Sequence, residues 1–87
     1  MVSKAIMINT PEGLHMRPAG VIVKEMEQFP CKVSIIYGNQ RYNAKSLINI
    51  ISARIKGNTE VIFECDGDLE EEALAKLDEI ASQNFGD

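Results

Sequence analysis

The sequence predicts an α+β fold in two layers, helices over one sheet, and three observations carry that prediction. Apolar residues alternate along 2–8, 31–37 and 61–65, the pattern of half-buried strands. Stripes at helical spacing run through about 16–28 and through the segment that ends at Ala81. Turn signals separate these segments and give the order β-α-β-β-α-β-α, in which the helices bury their stripes most simply against a single sheet. The 87 residues have the length of one domain, 1–87.

The first strand, 2–8, sets Val2, Lys4, Ile6 and Ile8 on one face, with Ile6 and Ile8 closing the core side. Thr10-Pro11-Glu12-Gly13 has the proline and glycine of a type I turn. It leads into a helix over about 16–28 whose buried stripe is Ala19, Ile22, Val23, Met26 and Phe29, and Pro30 stops it. Pro18 sits in the first turn, where a missing N–H costs little. Cys31, Val33, Ile35 and Tyr37 alternate as a second strand. Gly38-Asn39 turns the chain back, and Gln40 to Asn43 form a third. The run Leu47-Ile48-Asn49-Ile50-Ile51 fits strand or helix by composition; Ser46 as N-cap favours a short helix ending near Gly57-Asn58. A fourth strand carries Val61, Phe63 and Cys65 inward. Asp68 is the expected cap of the last helix, with Glu71 completing a capping box. Glu70, Glu71 and Glu72 suit its positive end, and Leu74, Leu77, Ile80 and Ala81 form its buried stripe.

The net charge of −4 hides an asymmetry: residues 1–59 hold eight Lys and Arg against three acids, and 60–87 hold ten acids against Lys76. The first part attracts an anion or an acidic partner surface. Nucleic acid is disfavoured, since no basic run is interleaved with aromatics and Trp is absent. No stretch has the roughly 20 apolar residues of a membrane span, so a cytoplasmic domain without membrane insertion is expected. Cys31 and Cys65 lie too far apart for a CxxC motif, and with a single histidine they make no convincing zinc site. They are read as small buried hydrophobes in a reducing compartment. No metal and no cofactor is expected.

The chemistry concentrates in Gly13-Leu14-His15-Met16-Arg17-Pro18-Ala19. The one histidine of the chain stands where a turn enters a helix, off the apolar stripe. Backbone N–H groups just after it lack helical partners, and the helix dipole favours negative charge there. Arg17 adds a planar fork of donors suited to phosphate oxygens. A nucleophilic imidazole beside an anion cradle is equipped to accept a phosphoryl group, although a capping histidine is also compatible with a merely solvated residue.

This stretch, followed by Lys45-Ser46-Leu47, resembles the signature of the HPr-like family, the histidine-containing phosphocarriers of the phosphoenolpyruvate-dependent sugar phosphotransferase system, and the resemblance covers essentially the whole chain. It implies an open-faced sandwich: a four-stranded antiparallel sheet in the order 1-4-2-3 with three helices on one face. It implies that His15 takes a phosphoryl group on Nδ1 from phosphorylated enzyme I and passes it to IIA domains of sugar permeases. Arg17 would neutralise the phosphoryl charge, with the amides of Met16 and Arg17 meeting its oxygens. The protein would be a monomeric carrier within a relay rather than a turnover enzyme.

Ser46 has two compatible readings. It caps the short helix, and in relatives the matching serine is phosphorylated by HPr kinase/phosphorylase, which promotes binding to a catabolite control protein. Leu47, Ile48 and Ile51 cannot all point inward beside Ile50 and Ala53. The exposed ones, with Val21 and rimmed by Lys24 and Lys45, form the expected partner-docking face. Four departures from the family pattern stand out. Glu12 places a carboxylate near His15, where it either opposes a phosphoryl dianion or makes the imidazole more basic. Met16 is bulkier than usual. Ile48-Asn49 and Ala53-Arg54 replace the usual Met-Gly and Leu-Gly, and Arg54 is expected to lengthen or tilt the short helix. The alternatives are a regulatory interaction module acting mainly through Ser46, or a carrier in a nitrogen-type or dihydroxyacetone-kinase relay.

Overall fold

The computed structural model describes residues 1–86. In chain order it has β1 (Val2–Ile8), α1 (Met16–Met26), β2 (Lys32–Tyr37), β3 (Gln40–Asn43), α2 (Leu47–Ala53), β4 (Thr59–Asp66) and α3 (Glu70–Ser82), then a short 3₁₀ turn, Asn84–Gly86. Every strand pair is antiparallel, and the sheet runs β1-β4-β2-β3. This is the predicted element order and the sheet order that the resemblance implied.

Register follows from which side chains must meet. Ile6 lies opposite Val61, Val33 opposite Cys65 and Ile35 opposite Phe63, so the apolar sets of three strands fall on the face that the helices cover. Ile8, Ile22, Met26, Ile35, Ile50, Phe63 and Leu77 are fully buried there, each contributing roughly 1.5–3 kcal/mol by leaving water. The other face of the sheet is open to solvent, with Ser3, Ala5 and Met7 of β1 exposed. At the β2–β3 turn Gly38 takes φ 64°, which a two-residue hairpin turn demands and glycine supplies cheaply.

Helix ends are where the sequence misleads. Helix α1 stops at Met26, not 28, because the amides of Gln28 and Phe29 bond three residues back, to Glu25 and Met26, and tighten the chain. Val23 and Phe29 of its expected stripe are only half-buried, at the margin of the core. Helix α2 ends at Ala53, well before Gly57-Asn58. Arg54 does not lengthen it; with φ 53° and ψ 45° it is a left-handed C-cap. The backbone beyond is captured elsewhere: the Ile55 carbonyl accepts from Leu14 N–H at 3.0 Å, and Asn58 N–H donates to the Ile8 carbonyl at 2.7 Å.

Asp68 does not cap α3. The N-cap is Leu69, left-handed at φ 63° and without a side-chain cap bond, and no capping box forms; instead Gly67 N–H donates to Glu70 Oε1 at 3.0 Å, and Glu70 N–H donates to the Gly67 carbonyl at 3.2 Å. That bond from Gly67 holds the Glu70 carboxyl below the usual carboxylate range. Gly67, at φ 131°, is where the chain leaves β4, and this sets the helix start. Ala73 consequently takes the buried position, and Leu74, expected inside, is half-buried. The core also gains a residue the periodicity did not offer. Phe85, beyond α3, is fully buried against Phe63.

Candidate functional site

The site is built on the Thr10–Gly13 turn. Gly13 N–H donates to the Thr10 carbonyl at 3.1 Å, and the buried Thr10 hydroxyl donates to the Gly13 carbonyl at 2.5 Å. Leu14 is buried and bonded through its amide to Ile55. His15 comes next, as the N-cap of α1, with an extended backbone at φ −79° and ψ −171°. The lone histidine is thus held between a clamped turn and a helix start.

Pro18 is buried at the third helical position and has no N–H, so the first bond into the helix is Ala19 N–H to the His15 carbonyl, at 3.0 Å. The amides of Met16 and Arg17 precede any helical acceptor, and the His15 side chain makes no capping bond to them. They therefore present the positive end of the helix dipole beside the imidazole.

His15 is half-buried and lines an open cleft of about 440 Å³. Leu14, Met16, Ile51 and Ile55 supply its apolar walls, and Glu12, Arg54 and Lys56 its charges. Arg17 is exposed at the helix start and does not line this cleft. Sequence reasoning placed His15, Met16 and Glu12 together correctly but missed Arg54 and Lys56 as neighbours. The only available signal was Gly57-Asn58, which marked a change of direction without saying where the chain would go. Among the described residues, no group of three His, Cys, Asp or Glu side chains is arranged to hold a metal ion.

Ser46 lies apart from the cleft. It is the N-cap of α2, its hydroxyl accepting from Asn49 N–H at 3.3 Å. Asn49 in turn accepts from Asn43 N–H through Oδ1 at 3.2 Å, tying α2 to the end of β3. Of the expected docking residues, Ile48 is 81% exposed, and Val21, Leu47 and Ile51 are half-buried against the core. Ile51 is the one that also reaches the cleft. Lys24 is exposed, whereas Lys45 turns back to donate to the Phe29 carbonyl and secures the segment that follows α1.

Residues 2–83 match the family described as the PTS HPr component phosphorylation site. The chain belongs to the HPr family. It is 36% identical over 83 residues to the phosphocarrier protein HPr of Buchnera aphidicola subsp. Schizaphis graminum, spanning 95% of this chain and 98% of that one. It is also 34% identical over 77 residues to the HPr-like protein Crh of Bacillus subtilis, covering 88% of this chain and 91% of that one. The solved HPr of Thermoanaerobacter tengcongensis has the same fold, with a TM-score of 0.94 at 32% identity, covering 100% of this chain and 98% of that one. The protein is accordingly an HPr-family phosphocarrier of the phosphotransferase system, a member of a phosphotransfer relay. Membership implies partners within that system, such as enzyme I and IIA proteins. Among the described residues no helix is long and apolar enough to cross a membrane.

Proposed function

We propose that His15 is the residue that carries the phosphoryl group, taking it from phosphorylated enzyme I and giving it to IIA domains of sugar permeases. The observation that carries this reading is the placement of the chain's single histidine as the N-cap of α1, on an open cleft and beside two amides without helical acceptors. In the accepting step a ring nitrogen of His15, taken as Nδ1, uses its lone pair to form the new P–N bond. The P–N bond on the donor histidine breaks, and its electron pair returns to the donor ring. Nothing is oxidised or reduced. The developing charge on the transferring group is met by the Met16 and Arg17 amides and by the Arg17 guanidinium, so catalysis is positioning and electrostatics while the partner supplies the second histidine. A cleft this open gives a partner protein access to His15.

Incubation with phosphoenolpyruvate and enzyme I is expected to give an acid-labile phosphoryl adduct that His15→Ala abolishes. Failure of the wild-type protein to become charged by a competent enzyme I would overturn the reading.

A regulatory role for Ser46 is the second reading, favoured by the half-buried position of this N-cap serine beside the exposed Ile48 and by the similarity to Crh. A phosphoserine there adds roughly −1.5 to −2 charge to the docking face. That charge would hinder an acidic partner surface and favour a basic one, such as a catabolite control protein. Incubation with ATP and HPr kinase/phosphorylase is expected to leave an acid-stable mark that is absent in Ser46→Ala; an unmarked wild-type protein would sink this role.

A further inference from the structure

Arg54 combines two features that rarely coincide without reason. It is a non-glycine residue held at φ 53°, in the left-handed region that side chains with a Cβ enter at a cost, and it lines the same cleft as His15. Strain of this kind persists where the surroundings impose it, and it gathers at functional sites. The surroundings here are the hydrogen bond from Leu14 to Ile55 and the packing of the Thr10–Gly13 turn on the segment that follows Arg54. The backbone at residues 13–15 and that at 54–57 are therefore locked together, and the Arg54 side chain departs from a fixed point beside the histidine. Lys56 lines the cleft from the same segment, and Glu12 is the single carboxylate among the lining residues. Two cations against one anion leave the cleft positive, which suits a dianion bound there.

We propose that Arg54 is a second phosphate-binding residue, its guanidinium donating N–H groups to the oxygens of the phosphoryl group on His15 from across the cleft, with Lys56 adding charge. This rests on His15 being the phosphoryl acceptor. No bond to Arg54 is made or broken; it supplies donors with the fork geometry that matches phosphate oxygens. Arg17 and the helix amides approach from the α1 side and Arg54 from the α2 side, so the phosphoryl group is gripped between two elements.

The test compares wild type with Arg54→Gln, Arg54→Lys and Arg54→Gly, each charged from phosphoenolpyruvate by enzyme I. Arg54→Gly frees the backbone of its strain and keeps the variants informative even if another residue folds poorly at this position. The ³¹P NMR titration of the charged protein reads the phosphoryl group directly. Its pKa is expected to rise by about half a unit or more in Arg54→Gln and Arg54→Gly, because a nearby cation that favours the dianion is gone. Charging by enzyme I is expected to slow roughly tenfold in the same two variants, with partial recovery in Arg54→Lys. An unchanged phosphoryl titration overturns the proposal, even if charging slows, since Arg54 would then be reading the partner protein rather than the phosphate. Absence of charging in the wild type would instead overturn the assignment of His15.

Discussion

The rings of Phe63 and Phe85 lie 6.5 Å apart, centroid to centroid, at an interplanar angle of 30°. Phe63 is central to β4, whereas Phe85 reaches it only because Asn84 and Phe85 both adopt left-handed backbone angles, φ 55° and 53°, which fold the chain back after α3. The turn packs against α1 as well as α3. Phe85→Ala is therefore expected to cost about 3–5 kcal/mol, the price of emptying a large buried aromatic site. Urea unfolding followed by circular dichroism measures it, and a loss below 1 kcal/mol would show that the turn only decorates the core.

Gly57 faces a different constraint. A Cβ built there would stand 2.2 Å from the Thr10 carbonyl oxygen, and both neighbours in that contact are backbone. Gly57→Ala must push the two segments apart, and it is expected to destabilise the fold by about 1–3 kcal/mol. Since the displaced turn leads directly to His15, charging by enzyme I is expected to fall further than the lost stability explains. A folded, normally charged Gly57→Ala protein would contradict the close approach.

Ser46→Ala removes the oxygen that accepts from Asn49 N–H. The expected loss is about 1 kcal/mol, while Ser46→Asp, which keeps an acceptor, stays within a few tenths of wild type. Thermal unfolding of the three proteins checks the order. Equal stability for all three would mean that the cap bond contributes nothing.

Cys31 and Cys65 are free and buried. Burial pushes the Cys65 thiol up to about 12, and the neighbouring Cys31 adds to the shift. The sign follows from proton linkage. The folded protein keeps this proton, while the unfolded chain releases it near its ordinary value of 9.0. The stability from this group is thus complete below pH 9 and declines as the pH rises toward 12, by at most about 1.4 kcal/mol per pH unit. Urea midpoints for wild type and Cys65→Ala are expected to converge across that range; parallel curves would refute the shift. In the folded protein both thiols are expected to resist iodoacetamide, reacting only as the chain opens.

Arg17 is exposed, so Arg17→Ala is expected to leave the stability within about 0.5 kcal/mol of wild type. Phosphoryl transfer is expected to slow by on the order of tenfold or more. Loss of folding in this variant would refute the division of labour between a scaffold and its charged tip.

The periodic parts of the molecule were legible because burial on one face leaves a direct trace in residue order. Val61, Phe63 and Cys65 could only be a strand with its odd positions inward, and Ala19, Ile22 and Met26 only one side of a helix. The placement of His15 and Arg17 was legible for a related reason: both lie at one helix start, so local rules reach their position in the fold. Arg54 and Phe85 were not. Each owes its position to a positive φ imposed by contacts with distant segments, and no pattern in neighbouring residues encodes that. The cap of α3 failed for the same reason: Leu69 caps it from a left-handed conformation, and Glu70 rather than Glu71 reaches back, to the amide of Gly67 where the chain leaves β4.

The neighbour order β1-β4-β2-β3 has a consequence for how the molecule is born. Among the described residues strand β1 pairs with β4 alone, and the carbonyl that holds Leu14 belongs to Ile55, so the shelf under the histidine is furnished by chain made long after the histidine itself. A nascent polypeptide halted at the end of α2 already contains His15 and Arg17, yet it has neither the Ile55 carbonyl nor a companion for its first strand. The local support of the histidine is thus a product of tertiary folding, assembled only once β4 has joined the sheet beside β1.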